Sequence, residues 1–137
     1  MGARIGEYTL QRQKGGICYF GHARVQLVAG DQDVIWSVAP DDHTSLQPRH
    51  DAELMEAVLA GAQAGLEFVR SLAPASCQGR VEIVHARLQL TDIEKSAVHA
   101  AAALAVGQAF DVADRLELAF EDGWIVKVRP AGPSRYP

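Results

Sequence analysis

The segment from Ile17 to Ala29 constrains the fold most. Ala23, Val25 and Leu27 alternate with His22, Arg24 and Gln26, the period of a strand in a sheet with one buried side. Before it, Glu7 to Gln13 is short and mixed, and Lys14-Gly15-Gly16 interrupts the chain. Two glycines suit a hairpin turn, where positive φ is needed. They do not suit a phosphate loop, because Lys14 precedes them and no helical pattern follows. Gly30-Asp31 marks a second turn, and Val34 to Val38 a further strand.

The polar stretch PDDHTSLQPRH, Pro40 to His50, reads as a loop. Asp51 is expected to cap a helix with Glu53 in its first turn, matching the positive end of the helix dipole. Leu54, Val58, Ala62, Leu66 and Val69 fall on one apolar face. Gly61 and Gly65 weaken that helix by about 1 kcal/mol each relative to alanine, which predicts a close contact with a sheet or second helix. Ala73-Pro74 ends it. Val81 to Leu90 reads as a strand with Val84, Ala86, Leu88 and Leu90 on one side. Thr91 to Glu94 has the form of a capping box, and an alanine-rich helix runs from it to about Phe110. The last elements form a hairpin. A three-residue loop, Glu121-Asp122-Gly123 with Gly123 in the left-handed region, pairs Phe120 with Trp124, Leu118 with Val126 and Leu116 with Val128. The tail 130–137 is expected to fray.

The order β-β-β-α-β-α-β-β predicts one α+β domain over residues 1–137. It is a two-layer sandwich of a four- to five-stranded, mainly antiparallel sheet with two helices on one face. A chain of 137 residues, 48% hydrophobic, buries enough surface to fold without a disulfide or metal. No apolar run approaches a membrane span, and MGARIGEYTL lacks the apolar core of a signal peptide. These features predict a cytoplasmic protein in which Cys18 and Cys77 are reduced, structural thiols.

The net charge of −4 is unevenly spread. Residues 1–30 carry four cations against Glu7, whereas residues 31–56 carry seven carboxylates against Arg49. Phosphate contacts need a basic face, and only Arg12, Lys14 and Arg24 on the first hairpin offer one. The charge balance favours a protein partner over RNA or the ribosome. Unpaired strand edges also allow a homodimer.

RQKGGICYFGHARVQLVAG resembles the strand-turn-strand that opens domain IV of translation elongation factor G. LQPRHDAELMEAVLAGAQAGLEFV resembles that family's proline-led helix, and RVEIVHARLQLTDIEKSAVHAAAALAVGQAF its closing strand and alanine-rich helix. The similarity spans about residues 8–120. It implies a ribosomal-protein-like β-α-β-α fold with a left-handed crossover. The family's loop between its last core strand and alanine-rich helix enters the ribosomal decoding site. Here Leu90 runs almost directly into Thr91-Asp92, so that loop is several residues short. The chain also carries no P-loop, so translocase activity is not implied.

Other residues invite chemistry. His43, His50 and Asp41, beside Asp42 and Asp51, form the densest set of metal-ligand types, but their spacing is not that of a zinc site; a solvated acidic loop is the expectation, with no cofactor. Asp41, His43 and Ser45 have triad residue types without a nucleophile elbow. His22 and His85 are expected to be exposed, and His99 partly buried and hydrogen-bonded. Cys18, flanked by Ile17, Tyr19 and Phe20, is expected to be buried and inert. Trp36 and Trp124 are expected in the core. The leading expectation is therefore a non-catalytic, translation-related binding module. The alternative is a small enzyme of the same superfamily fold acting on a small molecule.

Overall fold

A computed structural model describes residues 4–76, 78–89 and 91–129. Strands β1 (Arg4–Lys14) and β2 (Ile17–Val28) form a hairpin in register from Lys14↔Ile17 to Arg4↔Leu27. Gly15 and Gly16 close it at φ 57° and 80°, the two-residue turn whose twist suits paired strands. Strand β3 spans Asp33–Trp36, shorter than expected, and leads through the loop into helix α1 (Ala52–Leu72). Strand β4 (Arg80–His85) pairs antiparallel with β2 and parallel with β3, giving the order β1-β2-β4-β3. Helix α2 (Lys95–Ala109) follows. Strands β5 (Leu116–Phe120) and β6 (Trp124–Val128) then form a separate two-stranded sheet. The main sheet therefore has four strands, and the last hairpin does not extend it.

Both helices cover one face of the main sheet. Ala23 and Val25 of β2 and Val81 and Ile83 of β4 meet Val58, Ala62, Leu66 and Val69 of α1 and Val98, Ala102 and Val106 of α2. Burying each of the larger side chains contributes about 1.5–3 kcal/mol. A second cluster joins Leu10 of β1, Ala97, Ala100 and Ala101 of α2, and Trp124 of β6. Helix α2 is thus covered by the sheet, by α1 and by the β5–β6 hairpin. Its alanine-rich sequence follows from that position.

Glycines on its neighbours let α2 sit close. A Cβ on Gly61 would lie 2.1 Å from the His99 carbonyl oxygen, and one on Gly65 2.7 Å from that of Ala103. On the sheet side, a Cβ on Gly6 would lie 1.9 Å from the Ala105 oxygen, and one on Gly21 2.4 Å from that of Ala97. The contact predicted from Gly61 and Gly65 is therefore made, and its partner is the α2 backbone.

Several local expectations need correction. In β4 the core-facing residues are Val81 and Ile83, not Val84. Arg24 pairs with His85 while Val25 pairs with Ile83, so Val84 is the extra residue of a bulge. The bulge reverses the alternation, which is why Ala86 is also buried; Leu88 is exposed, and Leu90 lies outside the described residues, as do Cys77 and the tail 130–137. Asp51 stands before α1, but its carboxylate accepts from the Gln47 N–H at 3.0 Å instead of capping the helix. Glu94, not Thr91, caps α2: its carboxylate accepts from the backbone N–H groups of Ser96 and Ala97 at 3.0 and 3.1 Å. In the last hairpin the register is as expected, but Asp122 (φ 59°) takes the left-handed position, with Gly123 at φ 130°.

Candidate functional site

An apolar groove of about 630 Å³ opens in the surface. Ala57, Ala64 and Phe68 of α1 form one wall, β6 from Trp124 to Val126 the other, and α2 the floor. The groove is deep because the residues beneath it are small. Ser96 ties the floor to the β6 wall: its hydroxyl donates to Glu94 Oε1 at 2.6 Å and accepts the Trp124 N–H at 2.8 Å. That second bond fixes the phase of β6. The Trp124 N–H points away from β5, whereas the Arg129 N–H reaches the Arg115 oxygen at 2.7 Å across the hairpin. Backbone groups alternate along a strand, so Val126 also directs its N–H and C=O away from β5, along the groove wall. Among the described residues no bond to that free edge of Val126 is found.

His99 lies in the groove floor, half-buried. Burial pushes its imidazole pKa down, so the ring is neutral at pH 7. It makes no side-chain hydrogen bond among the described residues, contrary to expectation. Both ring nitrogens remain open to an occupant.

A second cluster lies on the sheet face opposite the helices. His22, expected to be exposed, is 1% exposed. Beyond it, the connector between β4 and α2 pairs with the edge of β2: the Phe20 N–H reaches the Asp92 oxygen at 2.7 Å and the Glu94 N–H the Phe20 oxygen at 3.2 Å. The Arg87 N–H donates to His22 Nδ1 at 3.0 Å. The ring proton is therefore on Nε2, which donates to Glu7 Oε2 at 2.6 Å. Glu7 also faces Arg24 at 3.5 Å. His85, part-buried, bonds through Nδ1 to Asp42 Oδ2 at 3.2 Å, and its ring meets His22 edge-on at 5.4 Å. Two hydrogen bonds from Thr44, with His85 nearby, lower the Asp42 pKa.

The loop is less solvated than its sequence suggests, since Ser45, Leu46 and Gln47 are buried. Among the described residues no three His, Cys, Asp or Glu side chains converge as a metal site. His50 instead accepts from Arg49 Nε at 3.3 Å. Ser45 exchanges hydrogen bonds with the Ala86 backbone, which removes it from any triad. Arg12, Lys14 and Arg24 do not form one patch. Arg12 and Lys14 lie on the helix side of β1, Lys14 over the Phe120 ring at 5.7 Å. Arg24 is on the opposite face, paired with Glu7, five residues along the ladder from Arg12 and seven from Lys14, and so roughly 17 and 23 Å away. Cys18 is exposed, not buried, because alternation along β2 points it to the sheet face away from the helices, near the hairpin turn. Trp124 is buried and Trp36 is packed at the core's edge. The groove itself went unread in the sequence; Ala57, Ala64 and Phe68, seven and four residues apart beside the main stripe, were its signal.

No family model and no curated protein matches the chain. Among solved structures, it is similar to the crystal structure of ttk003000868 from Thermus thermophilus, with a TM-score of 0.58 and 14% identity. The match covers 92% of this chain and 23% of that one. At that identity the likeness is one of fold. The two-layer α+β sandwich is common to both. No helix among the described residues is long and apolar enough to cross a membrane.

Proposed function

We propose that this chain is a non-catalytic binding module, related in fold to domain IV of elongation factor G, that takes a protein partner into the groove between α1, α2 and β6. The groove itself carries this reading: it is large, predominantly apolar and walled by regular elements, the features of a preformed binding surface. Separation of Arg12 and Lys14 from Arg24 favours a protein over RNA, because dispersed cations make few simultaneous phosphate contacts. An enzyme reading would rest on the Asp42–His85 pair, but neither His22 nor His85 lines the groove. Homodimerisation through the outward edge of β1 remains compatible with this function.

Ala64→Arg tests the reading by filling the groove from its exposed wall. Partners captured by the wild-type chain, with nuclease present, should be lost with the variant while its melting temperature is retained. Capture that survives the substitution, or that nuclease abolishes, would place the interaction elsewhere.

A further inference from the structure

This inference rests on the groove reading and specifies the occupant. We infer that the groove takes an extended peptide segment of a partner protein, added as a third strand to the free edge of β6, with apolar side chains alternating with basic ones.

The geometry of β6 argues for a strand. Ser96 already satisfies the Trp124 N–H, so the open ladder begins at Val126, whose N–H and C=O face the groove. A strand pairs at about 4.7–4.9 Å, whereas a helix needs about 10–12 Å of width and satisfies none of these groups. Alternate side chains of an added strand point down onto the α2 floor, where Ala103, beside Ala64 of the α1 wall, leaves room and His99 offers an unused nitrogen. Peptide recognition by strand addition uses this division, with backbone bonds for affinity and side-chain pockets for specificity.

A second copy of β6 is a poorer occupant. It brings its own β5 one strand spacing further out, toward the α1 wall of the groove.

Charge supplies the other half of the specification. Glu53, Glu56 and Glu67 recur on the solvent side of α1, next to the wall formed by Ala57, Ala64 and Phe68. Glu53 meets Lys95 at 3.0 Å, while Glu56 and Glu67 have no ion pair among the described residues. Lys127, the nearest cation on β6, is held by Glu121. The rim along α1 is therefore acidic, and side chains pointing up from the added strand meet carboxylates.

The probe is a capped six-residue peptide alternating valine and lysine, with three companions. One replaces lysine by glutamate; the other two carry backbone N-methyl groups on the valines or on the lysines. The parent should slow amide exchange at Val126 by about tenfold or more, since a new ladder bond must open first. One N-methyl pattern should abolish binding and the other should leave it, because only one edge faces β6. The glutamate peptide should bind at least about tenfold more weakly, an effect that salt reduces. If both methylated peptides bind like the parent, or Val126 exchange is unchanged while Ala64→Arg still blocks binding, strand addition is wrong and the groove reading stands. If Ala64→Arg has no effect, the groove reading fails too. Protection of Val126 without peptide, together with a doubled mass, would make the occupant a second copy and overturn the inference.

Discussion

His22 Nε2 lies 2.6 Å from Glu7 Oε2 while Nδ1 of the same ring accepts the Arg87 N–H at 3.0 Å. Both ring nitrogens are committed, and the ring is neutral. Burial lowers the His22 pKa, and the Glu7 bond and charge oppose that without overcoming it. The His22 bond, with help from Arg24, lowers the Glu7 pKa. Both groups therefore bind protons more readily when unfolded. Their stabilisation is complete above the ordinary histidine value of 6.5 and is lost as pH falls through the folded-state values, His22 first and Glu7 later. His99 adds to the upper step with the same sign. Urea midpoints should hold between pH 7 and 8 and decline from about pH 6.5 to 4. His22→Gln should shrink the upper part of that decline. A wild-type midpoint that stays level down to pH 5 would contradict the arrangement.

Gly61→Ala should destabilise the protein although it improves helix propensity. Alanine adds about 1 kcal/mol of intrinsic preference. Its Cβ, however, meets the His99 carbonyl at 2.1 Å, and the α2 backbone cannot rotate aside as a side chain would. Overpacking of this kind costs about 1–3 kcal/mol or more, so the net effect is a loss. Gly15→Ala makes a useful comparison, since nothing lies within 4 Å and only its φ of +57° opposes the change, at about 1 kcal/mol. Denaturant titration of the two variants measures the difference; a neutral or stabilising Gly61→Ala would show that the helices are further apart.

Glu94→Ala should cost about 1 kcal/mol, the usual worth of an N-cap, whereas Thr91→Ala should be close to neutral. Glu94 satisfies the free N–H groups of Ser96 and Ala97 in the first turn of α2 and holds the Ser96 hydroxyl that anchors β6. Local exchange at the Trp124 amide should also quicken in Glu94→Ala. Equal melting temperatures for the two variants would disprove the capping assignment.

Cys18 should alkylate in the native protein without denaturant, because its side chain is exposed beside the hairpin turn. Mass spectrometry after iodoacetamide treatment reads this directly. Protection comparable to that of a core thiol would mean another molecule covers the hairpin end.

Self-association should proceed through β1, the outer strand of the main sheet. Among the described residues Gln108 covers only its Glu7 N–H, and Ile5 on the same strand is 52% exposed; long uncovered edges pair readily. Light scattering should show mass rising with concentration, and Gln11→Pro, which removes an outward N–H without breaking the β1–β2 ladder, should suppress it. A constant monomer mass at millimolar concentration rejects the dimer.

Local chemistry explains what could be read from the sequence. Gly15-Gly16 set one hairpin and Glu121-Asp122-Gly123 the other, and the stripe from Val58 to Val69 showed which side of α1 is buried. The side-chain pattern of β4 was misread because a bulge inserts Val84 and inverts the period, and a period carries no mark of where it slips. His22 was misplaced for a related reason. Alternation assigns it to the face away from the helices, correctly, but on that face Glu7, His85 and the Arg87 backbone, distant from it in sequence, enclose the ring. The groove escaped because it lies between three elements, and its walls are alanines that look the same in a core.

The central place of α2 also sets an order of assembly. The first hairpin can close early, since its strands are neighbours in sequence. Every strand of the main sheet has left the ribosome once His85 has, yet its apolar face and the stripe on α1 still lack the helix between them. Only after Ala109 can these surfaces be covered together. Until then Val25, Ile83 and Leu66 lack the cover that α2 gives them, the kind of transiently exposed apolar surface for which chaperones exist.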